Sequence, residues 1–446
     1  MKFIDKIFNK LNYSKNRRKV FRNLYWAVIG KVVNIISGLL IGIFVARYLG
    51  PEQFGIMSYV ISYVTLFSIL ASFGFDNIEI RELAKNTWSK EKILGTAIYL
   101  RLFFATFTIL LIFITLVAFE PDRFTYGLIL IYSLTLIFST LGIIRNYFTS
   151  IIINEYVVKT EITRTIIGAS IKVVLLLYHA PLLWFIVAST FDFLIIVVGY
   201  LFAYLKKAGN INDWSFSKEI AIYQIKQSFP LLLSGAAIII YQKIDQVMIR
   251  HMIDNAAVGK FAVAAKFAEF VIFIPNVIAQ TVTPLLVQAR QNDTPHYEQK
   301  KQQFMDFMVW SAISLGLVIS FSSKIVITHL YGPAYLEAIP VLQIMAWKAV
   351  FVALFAASGQ IIITEGIQKY AAIRNIIGCC ISVLLNLILI PSWGIIGSAW
   401  ATIFTYAFSG YFSHLLIKPY HFLFKMQTNA ILSGFPRIIN VLIKTK

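Results

Sequence analysis

Cysteine, acidic side chains and recognisable catalytic motifs are all scarce in this chain. Of 446 residues only two are cysteine, the adjacent Cys379 and Cys380. Neighbouring positions on a helix diverge by about 100°, which excludes a mutual disulfide or a shared metal site and leaves them as small packing residues. There is no G-x-x-x-x-G-K-[ST] loop, no H-E-x-x-H and no G-x-S-x-G, so neither an ATP-driven pump nor a familiar hydrolase is written here. The six histidines do not cluster at ligand spacing, and His251 and His329 read as surface groups on the outer side. No metal, cofactor or catalytic residue is expected. The longest outer segment, about 324–337, is too short to hold the acceptor of a membrane-bound sugar transferase.

Charge is low and apolar content high, with 14% charged residues against 58% hydrophobic and a mean hydropathy of +0.74. That composition belongs to a polytopic membrane protein. Each span needs about 20 apolar residues, and suitable runs fall near 22–46, 56–75, 96–118, 125–148, 161–178, 182–205, 228–250, 257–288, 304–323, 339–363, 370–391 and 393–416. The expected fold is therefore all-α, with about twelve transmembrane helices. The first run is long, contains Lys31 and ends in LGPEQ rather than at a small-residue cleavage site, so it reads as a retained span and not as a signal peptide.

Forty basic residues face twenty-one acidic ones, a net charge of +19. Their distribution gives the orientation. Basic residues crowd before the first span and after the even-numbered ones (Arg81, Lys85, Lys90, Lys92; then Lys206, Lys207, Lys218, Lys226). The alternate loops, such as 120–123, 178–181 and 391–394, are short and poor in positive charge, which places both termini in the cytoplasm. Nucleic-acid binding would need one contiguous basic surface, and this scatter excludes it.

The polar stretch 206–227 divides the spans six and six. The expected organisation is a basic segment 1–22, an N-lobe 23–205, the linker 206–227, a C-lobe 228–416 and a basic amphipathic tail 417–446. In that tail Ile431, Leu432, Phe435, Ile438, Ile439, Leu442 and Ile443 recur at helical spacing among Arg437, Lys444 and Lys446, the pattern of a helix lying on the inner leaflet. The segment around Phe3, Ile4, Ile7, Phe8 and Leu11 reads the same way. Arg47 to Gly55 has a partial copy at Arg250 to Gly259, which fits two parallel repeats.

Ionisable groups inside a bilayer are costly and so are functional candidates. Lys31 lies roughly 13 Å along the first helix, in reach of the inner interface by snorkelling, yet Asn34, Gly38 and Gly42 extend its face into a polar or small stripe that suits a cavity. Lys172, Lys243, Arg250, Lys266 and Lys348 join Lys31 and Asn34 as candidates for a cationic, substrate-binding lining. Lys243 and Arg250 share a helix face; Asp245 points almost opposite. Asp192, Asp245 and Glu269 are candidates for proton or sodium coupling, although Lys266 and Glu269, three apart, could neutralise each other. Arg101, near an interface, reads as structural or headgroup-binding.

Certain motifs recur in a specific order: Asn23 with 26–30, ARYLGPEQFG (46–55), IRELA (80–84), SFPLLLS (228–234), KIDQVMI (243–249), VGKFAVAAK (258–266) and YGPAYLEAIPVLQI (331–344). End to end, the chain resembles the polysaccharide transporter family, the O-antigen or capsule repeat-unit flippases of the multidrug/oligosaccharidyl-lipid/polysaccharide exporter superfamily. Arg47, Gly50, Pro51 and Gly55 are its structural markers here. The resemblance implies two six-helix lobes around a central cavity, and a non-enzymatic carrier in the cytoplasmic membrane. It would flip undecaprenyl-pyrophosphate-linked oligosaccharides for O-antigen, capsule or exopolysaccharide by alternating access. Membrane lipid, and a polysaccharide polymerase and chain-length regulator, would be its partners. The alternatives are a drug or metabolite exporter of the same superfamily, or a non-transporting membrane partner of a polysaccharide assembly complex. The peptidoglycan-precursor flippases of that superfamily have two further helices that hold the lipid tail, and no counterparts are evident here.

Overall fold

A computed structural model describes residues 15–292 and 294–444; the expected N-terminal basic segment falls mostly outside them, as does Lys446. The described residues are helical almost throughout and contain no strand. The helices are α1 (Lys15–Ser72), α2 (Phe75–Lys85), α3 (Lys90–Phe119), α4 (Arg123–Phe138), α5 (Gly142–Ser150), α6 (Glu155–Leu177), α7 (Leu182–Lys207), α8 (Lys218–Met252), α9 (Asn255–Asn292), α10 (Thr294–Val326), α11 (Ala338–Ala346), α12 (Lys348–Glu365), α13 (Ala371–Ala407), α14 (Ser413–Leu416) and α15 (His421–Lys444).

Among the described residues nine helical stretches are long and apolar enough to cross a membrane. Two of them are double. Gly50 interrupts α1 with φ 70° and ψ 173°, and Gly394 interrupts α13 with φ 58° and ψ −140°; both are conformations that glycine adopts without a Cβ penalty. Pro51 then stands at the first position of the new helix, where its missing N–H costs nothing. Splitting these two and adding the more heavily charged α6 gives the twelve spans expected from the apolar runs. The chain is an all-α polytopic membrane protein.

The lipid-facing and inward sides of the helices differ in kind. On α3, Phe103, Phe107, Leu110, Ile114 and Val117 are exposed, whereas Thr96, Ala97, Ala105 and Thr108 are buried. Small and hydroxyl side chains let helices approach closely where no aqueous hydrophobic drive exists. Caps close several ends. Asp122 accepts from the backbone N–H groups of Phe124 and Thr125 at 3.1 and 3.2 Å, satisfying two orphan donors of α4.

The chain forms two compact units, one of residues up to Gly42 with Phe67–Leu232, the other of Ile43–Leu66 with Leu233 onward. The hairpin at Gly50 thus packs with the second unit. In the first unit, one core gathers Leu83, Ile93, Leu94, Ile143, Phe148, Tyr200 and Tyr204. Glu82, in IRELA, is 2% exposed and accepts from Arg81 Nε at 2.7 Å and from the Tyr223 hydroxyl at 3.1 Å. This motif clamps the start of α8.

In the second unit three of the sequence motifs meet. The Tyr335 hydroxyl donates to the Ala46 carbonyl at 2.7 Å, supplying a partner at the interrupted end of the first span. Asn255 Nδ2 donates to Glu52 at 3.0 Å, and Lys260 Nζ to Glu337 at 2.6 Å. Gly55 and Gly259 cross backbone to backbone: a Cβ on Gly55 would fall on the Asn255 carbonyl, and one on Gly259 on the Pro51 carbonyl. Gly55→Ala should therefore destabilise the purified protein by about 1–3 kcal/mol through overpacking. Gly38→Ala, with nothing within 4 Å of the added carbon, should leave the unfolding midpoint unchanged in the same detergent.

The C-terminal α15 docks on α10. Its Leu423, Met426, Gln427 and Ala430 are buried, Trp310 Nε1 donates to the Ala430 carbonyl at 3.0 Å, and Arg437 forms a bidentate pair with Asp306 at 2.7 and 2.8 Å. Leu432, Phe435 and Ile439 remain exposed. Ile431 instead packs against the core of this unit.

Candidate functional site

Within the second unit, the helix that follows Pro51 runs beside α8 and α9, and the three enclose a cleft of about 170 Å³. Its apolar wall is Phe54, Met57 and Ile61; its polar wall is Ser62, Lys243, Gln246, Lys266 and Glu269. Ser62 Oγ donates to Gln246 Oε1 at 2.9 Å. Lys243 Nζ lies 3.3 Å from Glu269 Oε1, with the two side chains 24% and 47% exposed, so this pair is open to the cleft and exchangeable.

A deeper layer lies behind it. Asp245 and Lys348 are each 5% exposed; Asp245 Oδ1 accepts from the Gln246 N–H at 2.7 Å. Lys348 sits 4.6 Å over the Tyr406 ring and is attracted by both Glu269 and Asp245. Attraction of this kind grows as the local dielectric falls. KIDQVMI thus places Lys243 on the cleft and Asp245 toward the interior, as their nearly opposite helix positions require. Arg250, two turns on, lies 5.8 Å from the Tyr59 ring.

Six of the sequence candidates, Lys243, Asp245, Arg250, Lys266, Glu269 and Lys348, therefore belong to the second unit. The other four belong to the first. Lys172 Nζ pairs with Asp192 Oδ2 at 2.7 Å, and Gly168 faces the Asp192 carboxylate so closely that a Cβ there would collide with it. Lys31 is exposed, and Asn34 Oδ1 accepts from Arg164 Nη2 at 2.9 Å. Between α6 and α7 runs an apolar groove of about 840 Å³, lined by Ile167, Phe191, Ile195, Val198 and Phe202 and bounded at one end by Lys159, Lys206 and Lys207.

The most tightly bound charge of the first unit is Arg101, for which the sequence suggested a structural or headgroup-binding role without indicating its partners. Arg101 is 4% exposed; its Nε and Nη2 reach the two Glu79 oxygens at 2.8 and 2.6 Å, and Nη2 also reaches Asp76 at 2.6 Å. Asn146 Nδ2 bridges the same carboxylates at 2.8 and 2.6 Å. Buried this way, Arg101 is committed to protein carboxylates. The signal lay in Asp76 and Glu79, three apart at the end of a span and so on one helix face.

With this geometry in view, comparison with known proteins is decisive on one point. The family model described as polysaccharide biosynthesis protein matches residues 20–290. The chain belongs to that family. Among curated proteins it is 30% identical over 132 residues to an uncharacterized membrane protein of Methanocaldococcus jannaschii, a match that spans 29% of this chain and about a quarter, 26%, of that protein. Among solved structures, the lipid II flippase MurJ in an inward closed conformation superposes with a TM-score of 0.68 at 17% identity, over 94% of this chain and 93% of that one. An inward-facing multidrug resistance MATE family transporter of the MOP superfamily gives 0.63 at 15%, over 93% and 96%. A MOP superfamily transporter from Pyrococcus furiosus gives 0.56 at 15%, over 94% and 95%. This member of the polysaccharide biosynthesis family therefore has the fold shared by MATE proteins and MurJ.

Proposed function

We propose that this polysaccharide biosynthesis family member is a flippase. Its cargo would be an oligosaccharide on a polyprenyl diphosphate, moved across the cytoplasmic membrane by alternating access for O-antigen, capsule or exopolysaccharide assembly. The observation that carries this reading is the open Lys243–Glu269 pair, backed by buried Lys348 and Asp245, in a chain of this family. A diphosphate and a carboxylate compete for the same ammonium groups. When the cargo takes Lys243, Glu269 loses its partner and becomes the acceptor for a proton or sodium ion; when the cation arrives first, the lysine is released for cargo. Cargo and cation are thereby linked through shared partners. Lys266, in the cleft lining, and Arg250 add positive potential, and Lys172 with Asp192 forms a second, buried lysine–carboxylate pair in the first unit. The groove between α6 and α7 suits a lipid chain, with phosphate at its lysine-bearing end.

The test is a reconstituted one. Proteoliposomes holding the purified protein and a fluorescent lipid-linked oligosaccharide should show probe reaching the opposite leaflet at least tenfold faster than protein-free vesicles. A strain lacking the gene should retain the intermediate on the inner leaflet. Equal rates with and without protein would remove the flippase reading and favour a non-transporting partner of the assembly complex, whereas export of small amphiphiles alone would favour a drug or metabolite exporter.

A further inference from the structure

Arg374, in the first turn of α13, is 4% exposed. Among the described residues no carboxylate lies within ion-pair distance of it, and its Nε and Nη1 have no hydrogen-bond partner. One face of the guanidinium is covered by the Phe355 ring, 4.0 Å from the centroid, and the hydroxyls of Tyr241 and Tyr420 lie within electrostatic reach. A ring quadrupole offsets only part of the cost of a buried cation. Removing one member of a buried pair is strongly unfavourable because a charge is left uncompensated, and Arg374 stands in that position.

Two more buried polar atoms of the same unit lack partners. Ser409 Oγ has no partner, and it sits against Gly378, one helical turn from Arg374, so closely that a Cβ at Gly378 would strike it. His414 Nε2 has no partner either, and His414 lies within electrostatic reach of Arg374. Ser409 and His414 are both 0% exposed. The other His414 nitrogen is assigned by its surroundings: Gln427 Nε2 donates to the carbonyls of Leu354 and Gly410 at 3.2 and 2.8 Å, so Gln427 Oε1 accepts from His414 Nδ1 at 2.9 Å. Nε2 therefore carries a lone pair in the neutral ring and becomes a donor on protonation.

We propose that Arg374, Ser409 and His414 form a buried site for a chloride-sized inorganic anion within the second unit, bound together with a proton on His414. Arg374 supplies the charge and two N–H donors, Ser409 a hydroxyl, and protonated His414 a further N–H. Exposures of 0–4% leave no opening for a lipid headgroup or sugar phosphate, so the occupant is a small ion. The titratable groups around His414 are Arg374 of α13 and Tyr420, with neutral Gln427 from α15; none of them is acidic. Binding must then tighten as pH falls, because the anion favours the protonated ring. The proposal does not rest on the flippase reading.

Chloride replacing gluconate at constant ionic strength should raise the unfolding midpoint of the purified full chain by about 2 °C or more, with a larger rise at pH 5.5 than at pH 7.5. Arg374→Met should abolish the chloride response; His414→Gln should keep a response but lose its pH dependence. Crystals grown in bromide should show an anomalous peak beside Arg374, a readout that does not depend on any variant folding. A midpoint indifferent to chloride, a response that survives Arg374→Met, or a bromide crystal with only water beside Arg374 would each overturn the proposal.

Discussion

Arg101→Ala is expected to cost the protein about 3–5 kcal/mol of stability, the usual penalty for removing one partner of a buried, hydrogen-bonded ion pair. Glu79 is 0% exposed and would keep only the Asn146 amide as a partner. Asp76, its side chain 57% exposed, can turn to water, so most of the loss falls on Glu79. Arg101→Lys should recover less than half, since one ammonium cannot reproduce the fork that meets both Glu79 oxygens. Adding Glu79→Gln to Arg101→Ala should return part of the loss by removing the stranded charge. Unfolding in mild detergent followed by tryptophan fluorescence would measure all three. A single variant within about 1 kcal/mol of the parent, the ceiling for an exposed pair, would show that the network is solvated.

Lys243→Ala is expected to reduce cargo export at least tenfold at unchanged protein abundance. The distinction between a binding lysine and a structural one lies in the exchanged pair. Lys243→Glu combined with Glu269→Lys preserves the attraction across the cleft and should fold as well as the parent, yet it moves the ammonium from α8 to α9 and should not restore export. Recovery of export in the exchanged variant would make the pair a simple structural tie and remove Lys243 from the cargo site. Lys348→Met, which strands buried Asp245, should lower both stability and export, and the contrast with Lys243→Ala separates the two layers of the site. Assays at fixed salt are needed, because the half-exposed Lys243–Glu269 pair is screened as ionic strength rises.

The spans were readable because each apolar run is about the length of a bilayer crossing, and the Gly50-Pro51 break because glycine and proline act locally. Partner choice was not. Lys243 finds Glu269 26 positions away, and Arg101 finds its carboxylates 22 and 25 positions back, separations that helical periodicity cannot rank. The neighbouring Lys266, expected to neutralise Glu269, does attract its carboxylate, but nothing in the sequence signalled that Lys243, on another helix, also hydrogen-bonds it. Arg374 drew no notice, since a basic residue four positions after Tyr370 looks like an interfacial charge until its burial is known. The docking of α15 was likewise hidden: Leu432, Phe435 and Ile439 carry the visible apolar pattern, while the contact with α10 runs through the Met426 and Ala430 carbonyls, Gly434 and one face of the Phe435 ring.

The crossing of Gly55 and Gly259 has an epistatic consequence. Each position requires glycine because the other helix's backbone occupies the space of its missing carbon. The two are one steric event recorded twice. Once either helix has been pushed away by a methyl group, the second glycine has lost its reason to be glycine, and change there becomes nearly free. Two positions that look equally intolerant when altered singly share a single penalty between them.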